Sequence, residues 1–371
     1  MAKLRSPREG EPLSTNGSLI PFSFWPARRS TRWAVQRRLY VKDPWATLFE
    51  AVYRSDIHQR RITEALSYLD QAEAYFAAGT EVGGRISVKP LLLYYSVLNL
   101  AKCMIAARAP ELDLSQAFHG LIATRAHKRA ILGDQVKIKT SETKVNIFGE
   151  LMTRLDGDVP SFRDIEVRHL LPQILPAHRL WTYASERKEQ FISVDVSALH
   201  DSGVCTAWLN IAINRGELAY LGKSVKQLVS ASGLPGHWDQ VRGIPQDGDI
   251  LLQQAKAIPY KGRPLDCVDE LFHSLRPSLW SVVTTTHPHR KYYLNVDSNL
   301  GMRRLPQWAS VYALFFYLSD LTRYRPVHFD RFLEGKYGPQ IESILDECPR
   351  QFLFLMASEL LQREVAPADL V

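Results

Sequence analysis

The segment from about Val88 to Arg108 constrains the fold more than any other part of the chain. Apolar side chains occupy most of its faces, and Pro90 lies in the first turn, where a missing N–H costs little. A helix that is apolar nearly all round lies at the centre of a bundle. The sequence therefore predicts a buried central helix with other helices packed around it.

Helical patterns recur towards both ends of the chain. Between Pro44 and about Gly79, apolar residues follow the i, i+3, i+4, i+7 spacing of one buried stripe. The segment Trp308–Arg323 is strongly apolar, and Pro326 ends it. Shorter helices are predicted after it, at about 328–334, 338–347 and 350–363. We expect the two helical ends to pack against each other.

The middle of the chain is mixed. Alternating or β-branched segments predict strands at Val136–Lys139, Lys144–Ile147, Phe191–Val196, Ser281–Thr285 and Tyr292–Val296. Short helices are predicted at 163–185 and 266–275. The predicted fold class is α+β and predominantly α-helical, with N- and C-terminal helical parts packed around a mixed α/β middle. The predicted parts are a basic arm with aromatic residues (1–43), a helical part (44–132), the mixed middle (133–300) and a second helical part (301–371).

Composition and motifs exclude several classes of protein. The most apolar windows are shorter than the roughly 18–20 residues of a membrane span. The chain lacks the phosphate-loop, dinucleotide-binding, nucleophile-elbow and His-Glu-x-x-His motifs. Neither zinc-site spacing nor a disulfide framework is formed by the four distant cysteines, Cys103, Cys205, Cys267 and Cys348. We therefore predict a cytoplasmic protein with no membrane contact, no metal and no cofactor.

Positive charge is concentrated at the N-terminus. Residues 1–40 contain eight basic and two acidic residues, so this segment carries +6 of the net charge of +7. Such asymmetry indicates an acidic partner. Arginine makes bidentate contacts with phosphate, and tryptophan stacks on unpaired bases. The candidate binding residues are Arg28, Arg29, Arg32, Trp33, Arg37 and Arg38.

The sequence does not identify the partner of this basic segment. Contact through residues 26–40 fits nucleic acid or an acidic protein subunit, and a tail docked on its own core is a third interpretation. A homo- or hetero-oligomer is also left open. The apolar, aromatic residues that follow Leu19 are expected to dock the N-terminal tail. Removal of residues 1–40 is expected to abolish partner binding and to leave the fold intact.

Three segments stand out as motifs: Lys89–Lys102, the turn His119–Leu121, and Leu318–Pro326. Together they resemble the bacterial YaaC-like family over about residues 45–365, with the basic arm outside. The resemblance implies a helical fold with a β-containing middle and implies no established reaction. The leading prediction is a non-enzymatic protein of a multiprotein assembly, with prokaryotic defence as the setting by analogy.

The helical ends also resemble the HEPN-type helical bundles of prokaryotic toxins and defence ribonucleases. Those enzymes cleave RNA without metal, through an arginine and a histidine about five or six residues apart. The resemblance implies Arg323 with His328, or His119, as the catalytic groups. The histidine would act as acid and base, and the arginine would stabilise the phosphorane charge. The competing interpretation makes Arg323 a helix cap and His119 a structural residue of a turn.

Two further groups of residues resemble metal sites. Asp134, Glu142 and Lys144 superficially match a metal-dependent nuclease, but a solvated hairpin with alternating charges is the favoured interpretation. The pair in His287-Pro288-His289 places two imidazoles on one face of an extended backbone. The adjacent cations favour a basic loop over a metal site. Gly120 is predicted to allow a tight turn or a close backbone approach.

Overall fold

The computed structural model describes residues 4–15, 17–26, 38–81, 86–126, 131–141, 143–157, 164–242, 249–297 and 304–368. The chain divides into two compact units. We call Met1–Tyr40, Lys188–Gly301 and Gln362–Val371 the sheet unit, and Val41–Arg187 and Met302–Leu361 the helical unit. Both units are therefore assembled from segments that are distant in the chain. The elements are numbered along the whole chain.

The helical unit contains nine of the α-helices in the described residues and one small sheet. The helices are α1 (Pro44–Tyr53), α2 (Gln59–Glu81), α3 (Lys89–Arg108), α4 (Ile147–Asp156), α5 (Val167–Leu170), α6 (His178–Ser185), α10 (Gln307–Tyr324), α11 (Pro326–Glu334) and α12 (Gly338–Leu361). The strands are β5 (Leu121–Thr124), β6 (Gln135–Ile138) and β7 (Asp164–Glu166), which pair antiparallel in that order.

Helix α3 lies at the centre of the helical unit, as predicted. Most of its side chains are buried, and it packs against α2, α4, α10 and α12. The ring of Tyr94 lies 6.2 Å from that of Tyr312 and 5.6 Å from that of Phe316, measured between centroids. The expected packing of the two helical ends is therefore confirmed.

Helix α3 also meets the length and composition of a membrane span. It is the one helix among the described residues that does so, and 72% of the apolar window is buried inside the protein. Burial of this kind is typical of the core helix of a soluble protein, because the apolar faces are already covered by other helices.

The sheet unit contains the remaining described elements. Its strands are β1 (Glu11–Pro12), β2 (Ser14–Thr15), β3 (Ser18–Leu19), β4 (Leu39–Val41, whose last residue falls in the helical unit), β8 (Phe191–Asp201), β9 (Thr206–Ile213), β10 (Trp238–Val241), β11 (Ile250–Gln254), β12 (Ile258–Pro259), β13 (Leu279–Val283), β14 (Arg290–Asn295) and β15 (Val365–Pro367). Its helices are α7 (Arg215–Leu221), α8 (Val225–Ser232) and α9 (Val268–Ser274).

An eight-stranded antiparallel sheet dominates this unit. Six strands follow the order β10-β11-β9-β8-β14-β13, while β1 pairs with β8 and β12 pairs with β9. The long hairpin β8–β9 forms the middle, with Val194 opposite Ile213 and Asp201 opposite Thr206. Buried residues lie along both central strands, so the sheet supplies the core of the unit.

The predicted fold class, predominantly α-helical, is wrong, because the protein contains more strand than predicted. The protein is mixed, with 49% of residues in helices and 21% in strands. The strands β8, β13 and β14 were predicted, but β9, β10 and β11, which extend them into a large sheet, were not. Strand β9, with the sequence TAWLNIAI, is buried at almost every position. A fully buried strand loses the alternation that identifies strands in sequence.

Two local predictions also differ from the structure. Lys144–Ile147 forms no strand, because Asn146 is the N-cap of α4 and accepts a hydrogen bond from the Gly149 N–H at 2.9 Å. The two helices predicted at 338–347 and 350–363 are one helix, α12, with Pro349 inside it. Buried apolar neighbours on both sides of Pro349 hold the helix together across the proline.

The N-terminal tail docks through its aromatic residues, as expected. Phe22, Phe24 and Trp25 are buried in the sheet unit, and the Phe22 ring lies 4.7 Å from that of Tyr292 and 4.9 Å from that of Phe272. Deleting residues 1–40 would therefore remove core side chains from this unit. The expectation that such a deletion leaves the fold intact is not supported.

Candidate functional site

The three motif segments of the sequence converge in the helical unit. Tyr94 from α3 and His119 from the following turn both lie against Phe316 of α10, with ring centroids 5.6 Å and 5.1 Å apart. Burial raises the pKa of Tyr94 and lowers that of His119, and the positive charge of Arg323, near the end of α10, acts on both: it opposes the rise at Tyr94 and adds to the fall at His119. We call Tyr94, His119 and Arg323 the Arg323 site.

The turn that carries His119 is held by backbone hydrogen bonds on both sides. The Phe118 N–H donates to the Val145 carbonyl, and the Ile147 N–H donates to the Phe118 carbonyl, both at 3.0 Å. Gly120 has a φ of +84°, and a Cβ built there would lie 1.7 Å from Oδ1 of Asn146. The predicted close approach at Gly120 is confirmed, because no side chain fits at this position.

The imidazole of His119 is held in its neutral form. Burial lowers its pKa below the ordinary value, and the positive charges of Arg323 and Lys139 lower it further. The Leu121 N–H donates to Nδ1 of His119 at 3.3 Å. This hydrogen bond assigns the remaining proton to Nε2, which is therefore a donor.

One face of α10 presents the other groups of the site. Tyr312, Phe316, Ser319 and Arg323 follow one another at i, i+4, i+7 and i+11, so they share a face of the helix. Among the described residues, the Tyr94 hydroxyl and the Ser319 hydroxyl are buried without a hydrogen-bond partner. Buried hydroxyls without partners are uncommon, because each loses its hydrogen bonds with water.

Burial raises the pKa of Tyr94, and the positive charge of Arg323 offsets that effect only in part. Tyr94 is 2% exposed, and its ring is fixed between Tyr312 and Phe316. The phenol therefore keeps its proton and can donate a hydrogen bond. Its fixed ring means that little side-chain entropy would be lost when it does so.

Arg323 lies at the surface end of this face. Its guanidinium is 5.1 Å from the ring centroid of Tyr324, and its Nε donates a long hydrogen bond of 3.4 Å to the Ser319 carbonyl. Within the part of the chain that the structure describes, no carboxylate forms an ion pair with it. Most of its donors are therefore free to hold an anion.

A buried ion pair anchors the backbone immediately beyond Arg323. Arg325 donates to Oδ2 of Asp134 at 2.6 Å, and the Tyr317 hydroxyl donates to the same oxygen at 2.8 Å. Burial lowers the pKa of Arg325, but the hydrogen bond and the charge of Asp134 together raise it above its ordinary value. This anchor fixes the end of α10, from which Arg323 projects.

The charges around the site are predominantly positive. Asp320 lies one turn before Arg323, and burial raises its pKa, while the positive charges of Arg325, Arg323 and Arg125 oppose that rise. Asp134 neutralises Arg325 directly. Among the described residues named here, the three cations Arg323, Arg125 and Lys139 then outnumber the carboxylate of Asp320, so the site favours an anion.

Of the two predicted catalytic histidines, the structure brings only His119 close to Arg323. His119 joins Arg323, as described above. His328 is exposed at the start of α11 and forms no ring contact or ion pair with Arg323. The arginine and the histidine that follow each other closely in the sequence are therefore not the pair that the structure brings together.

The predicted binding residues of the N-terminal segment fall into two groups. Arg28, Arg29, Arg32, Trp33 and Arg37 lie outside the described residues. Arg38 is described, and its side chain forms contacts inside the sheet unit. Its Nε lies 2.8 Å from Oε1 of the buried Glu364, and its Nη1 donates to the Pro288 carbonyl at 2.5 Å.

The structure does not support a metal site at either of the two residue patterns considered in the sequence. Asp134 is buried and holds Arg325, Tyr317 and the Ala126 N–H, so its oxygens are occupied. Lys144 is exposed, and Glu142 lies outside the described residues. The rings of His287 and His289 are 6.1 Å apart, and no cluster of three metal-ligating side chains occurs in the described ranges.

Fold and site together define a mixed α/β protein with three hydrogen-bond donors, Arg323, His119 and Tyr94, gathered in its helical unit. The model of the YaaC-like protein family matches residues 29–360, so the chain belongs to that family. The match includes Arg29, Arg32, Trp33, Arg37 and Arg38, so five of the six candidate binding residues lie inside the family region, contrary to expectation. The searches of curated proteins and of solved structures returned no match.

Sequence reasoning missed two parts of the site. Tyr94 lies within the motif Lys89–Lys102, but no role was predicted for it, because the sequence does not distinguish a functional aromatic residue in a central helix from a core residue. The anchor of Arg325 was missed because its partner, Asp134, is remote in sequence. A polar pair of this kind leaves no local signal, since only the folded chain brings the two side chains together.

Proposed function

We propose that the helical unit binds a phosphate-bearing ligand at the Arg323 site. The observation that supports this proposal is a free guanidinium beside two further donors, Nε2 of His119 and the buried hydroxyl of Tyr94. A phosphate group presents only acceptors, and donors from three separate elements suit its tetrahedral oxygens. Arginine adds a bidentate contact and the charge.

The direct test is replacement of Arg323 by alanine. Hydrogen bonds with charged groups contribute about 1.5–3 kcal/mol, so we expect affinity to fall about ten- to one-hundredfold. Fluorescence anisotropy of labelled single-stranded RNA, single-stranded DNA and duplex DNA, with chelator and a salt series, provides the measurement. Inorganic pyrophosphate serves as an unlabelled competitor.

Arg331→Ala is the matched control, because Arg331 is an exposed arginine of the same unit. It should leave the affinity unchanged, and both variants should unfold at the wild-type denaturant concentration. Equal binding by Arg323→Ala and the wild-type protein would refute the proposal. A steep loss of binding with salt in the wild-type protein is expected, and a shallower one in the variant.

The affinity is also expected to depend on pH through His119. Its folded pKa is below the ordinary value, so the ring is neutral at pH 7 and gains its charge only at lower pH. Protonation adds a positive charge beside the phosphate, and affinity should therefore rise as the pH falls through that pKa. His119→Gln should flatten the profile. An oligonucleotide without a terminal phosphate is the right probe, because its charge is constant over about pH 5–8.

The catalytic alternative is metal-independent cleavage of RNA. In that case the protonated form of His119, which forms only at lower pH, would donate its Nε2 proton to the leaving 5′-oxygen, in place of His328. The 2′-hydroxyl would attack phosphorus and lose its proton to water, and Arg323 would stabilise the charge on phosphorus. The binding assay tests it at the same time. Shortened RNA in the presence of chelator, lost in His119→Ala, would support cleavage, and intact RNA would leave the protein a binder.

We also propose that the protein is cytoplasmic. Contact with a partner through residues 26–40 stays a prediction. Four free cysteines, of which Cys205 is exposed, support a reducing compartment. Nucleic acid or an acidic subunit remains the expected partner of that segment, and a role in a multiprotein assembly of prokaryotic defence stays a prediction as well.

A further inference from the structure

Tyr324 gives the Arg323 site an exposed aromatic surface. It is the last residue of α10, and its side chain is 63% exposed, although it is a large aromatic residue. The guanidinium of Arg323 lies 5.1 Å from its ring centroid. The guanidinium therefore lies over the ring of Tyr324, and places this exposed aromatic side chain beside the donors that we assign to phosphate.

The backbone on both sides of Tyr324 is fixed. The Arg325 N–H donates to the Leu321 carbonyl at 2.8 Å, and the Arg325 side chain is anchored on the buried Asp134. Pro326 then begins α11 with a restricted φ. The backbone that carries the ring is therefore held in place before any ligand arrives, which lowers the entropic cost of stacking on Tyr324.

The residues that follow extend the exposed surface. Val327 is 57% exposed, and His328 is exposed as well. An anion alone would need only the donors of the site. An open ring, preorganised beside an anion site, fits a ligand that carries both a phosphate and a flat aromatic group.

We propose that the ligand of the Arg323 site is a nucleoside phosphate whose base stacks on Tyr324. This inference rests on the proposed phosphate site and adds the identity of the neighbouring group. Every base offers a π face, so stacking on tyrosine tolerates any sequence. The nucleoside phosphate is either a free nucleotide or a unit of a single strand, and the two sources share the same chemistry.

The experiment compares Tyr324→Ala with Tyr324→Phe. The probes are a short single-stranded RNA, an abasic strand of the same length and a nucleoside monophosphate. Tyr324→Ala should weaken binding of the RNA about tenfold, because one base loses its stacking partner. Tyr324→Phe should bind like the wild-type protein, and the abasic strand should bind equally to all three.

Tyr183→Ala is the matched control, since Tyr183 is an exposed tyrosine of the same unit with 81% exposure. Tight binding of the monophosphate identifies a free nucleotide as the source, whereas affinity that grows with strand length identifies a single strand. Unchanged RNA binding by Tyr324→Ala, together with a loss in Arg323→Ala, would overturn the stacking inference and leave the phosphate site standing. Unchanged binding in Arg323→Ala would overturn both.

Discussion

Replacing Asp134 by alanine is expected to lower the free energy of unfolding of the helical unit by about 3–5 kcal/mol. The change removes the acceptor of Arg325 at 2.6 Å and of Tyr317 at 2.8 Å, and it also frees the Ala126 N–H. The side chain of Arg325 is only 10% exposed. Its charge would be left buried without a partner, and this desolvation is the largest part of the cost.

Hydrogen exchange of the backbone amides of α3 and α10 provides the measurement, because it reports the stability of the helical unit separately. The exposed Asp330 supplies the matched control, and Asp330→Ala should unfold like the wild-type protein. The double variant Asp134→Ala with Arg325→Ala should lose less than the sum of the single changes, because no unpaired charge remains. Additive losses would show that the two side chains are not coupled.

Replacing Glu364 by alanine is expected to cost the sheet unit a similar amount, about 3–5 kcal/mol. One carboxylate oxygen lies 2.8 Å from Nε of Arg38 and 3.8 Å from Nε of Arg290. The side chains of all three residues are at most 14% exposed. Removal of this single negative charge leaves two guanidinium groups close together in a poorly solvated environment.

Glu364→Gln keeps the volume and removes only the charge, so it should reproduce most of the loss. Glu9→Ala is the control in the same unit, because Glu9 is exposed. Protection of the amides of β8 and β14 against hydrogen exchange gives the result. Wild-type protection in Glu364→Gln would show that the charge of Glu364 does not stabilise the unit.

The helical half of the fold was readable from the sequence. The apolar faces of α3 and α10 required burial among other helices, and short-range spacing alone carried that information. The large sheet was not readable to the same extent. Its strand β9 is buried at almost every position, and its strands β10 and β11 are only four and five residues long. Short or fully buried strands lack the alternation that distinguishes them from helices.

The candidate site was likewise predicted only in part from the sequence. His119 and Arg323 were singled out from the sequence, and the structure brings them to one face of α10. Arg38 was assigned to partner binding because charge density was the only signal available. The structure instead gives it a buried carboxylate from the other end of the chain. Charge counts do not distinguish a solvated arginine from one held in an ion pair.

Local patterns in the sequence were enough to predict the central helix, the membership of the YaaC-like family through its three motifs, and a tight turn or close backbone approach at Gly120. Each of these depends on residues that are close together in the chain. The folded chain was needed to show that Arg323 lies near His119 and Tyr94, that Asp134 holds Arg325, and that Glu364 holds Arg38. These partners are remote in sequence, and the free energy of burying a charge becomes specific only when the folded chain supplies the opposite charge.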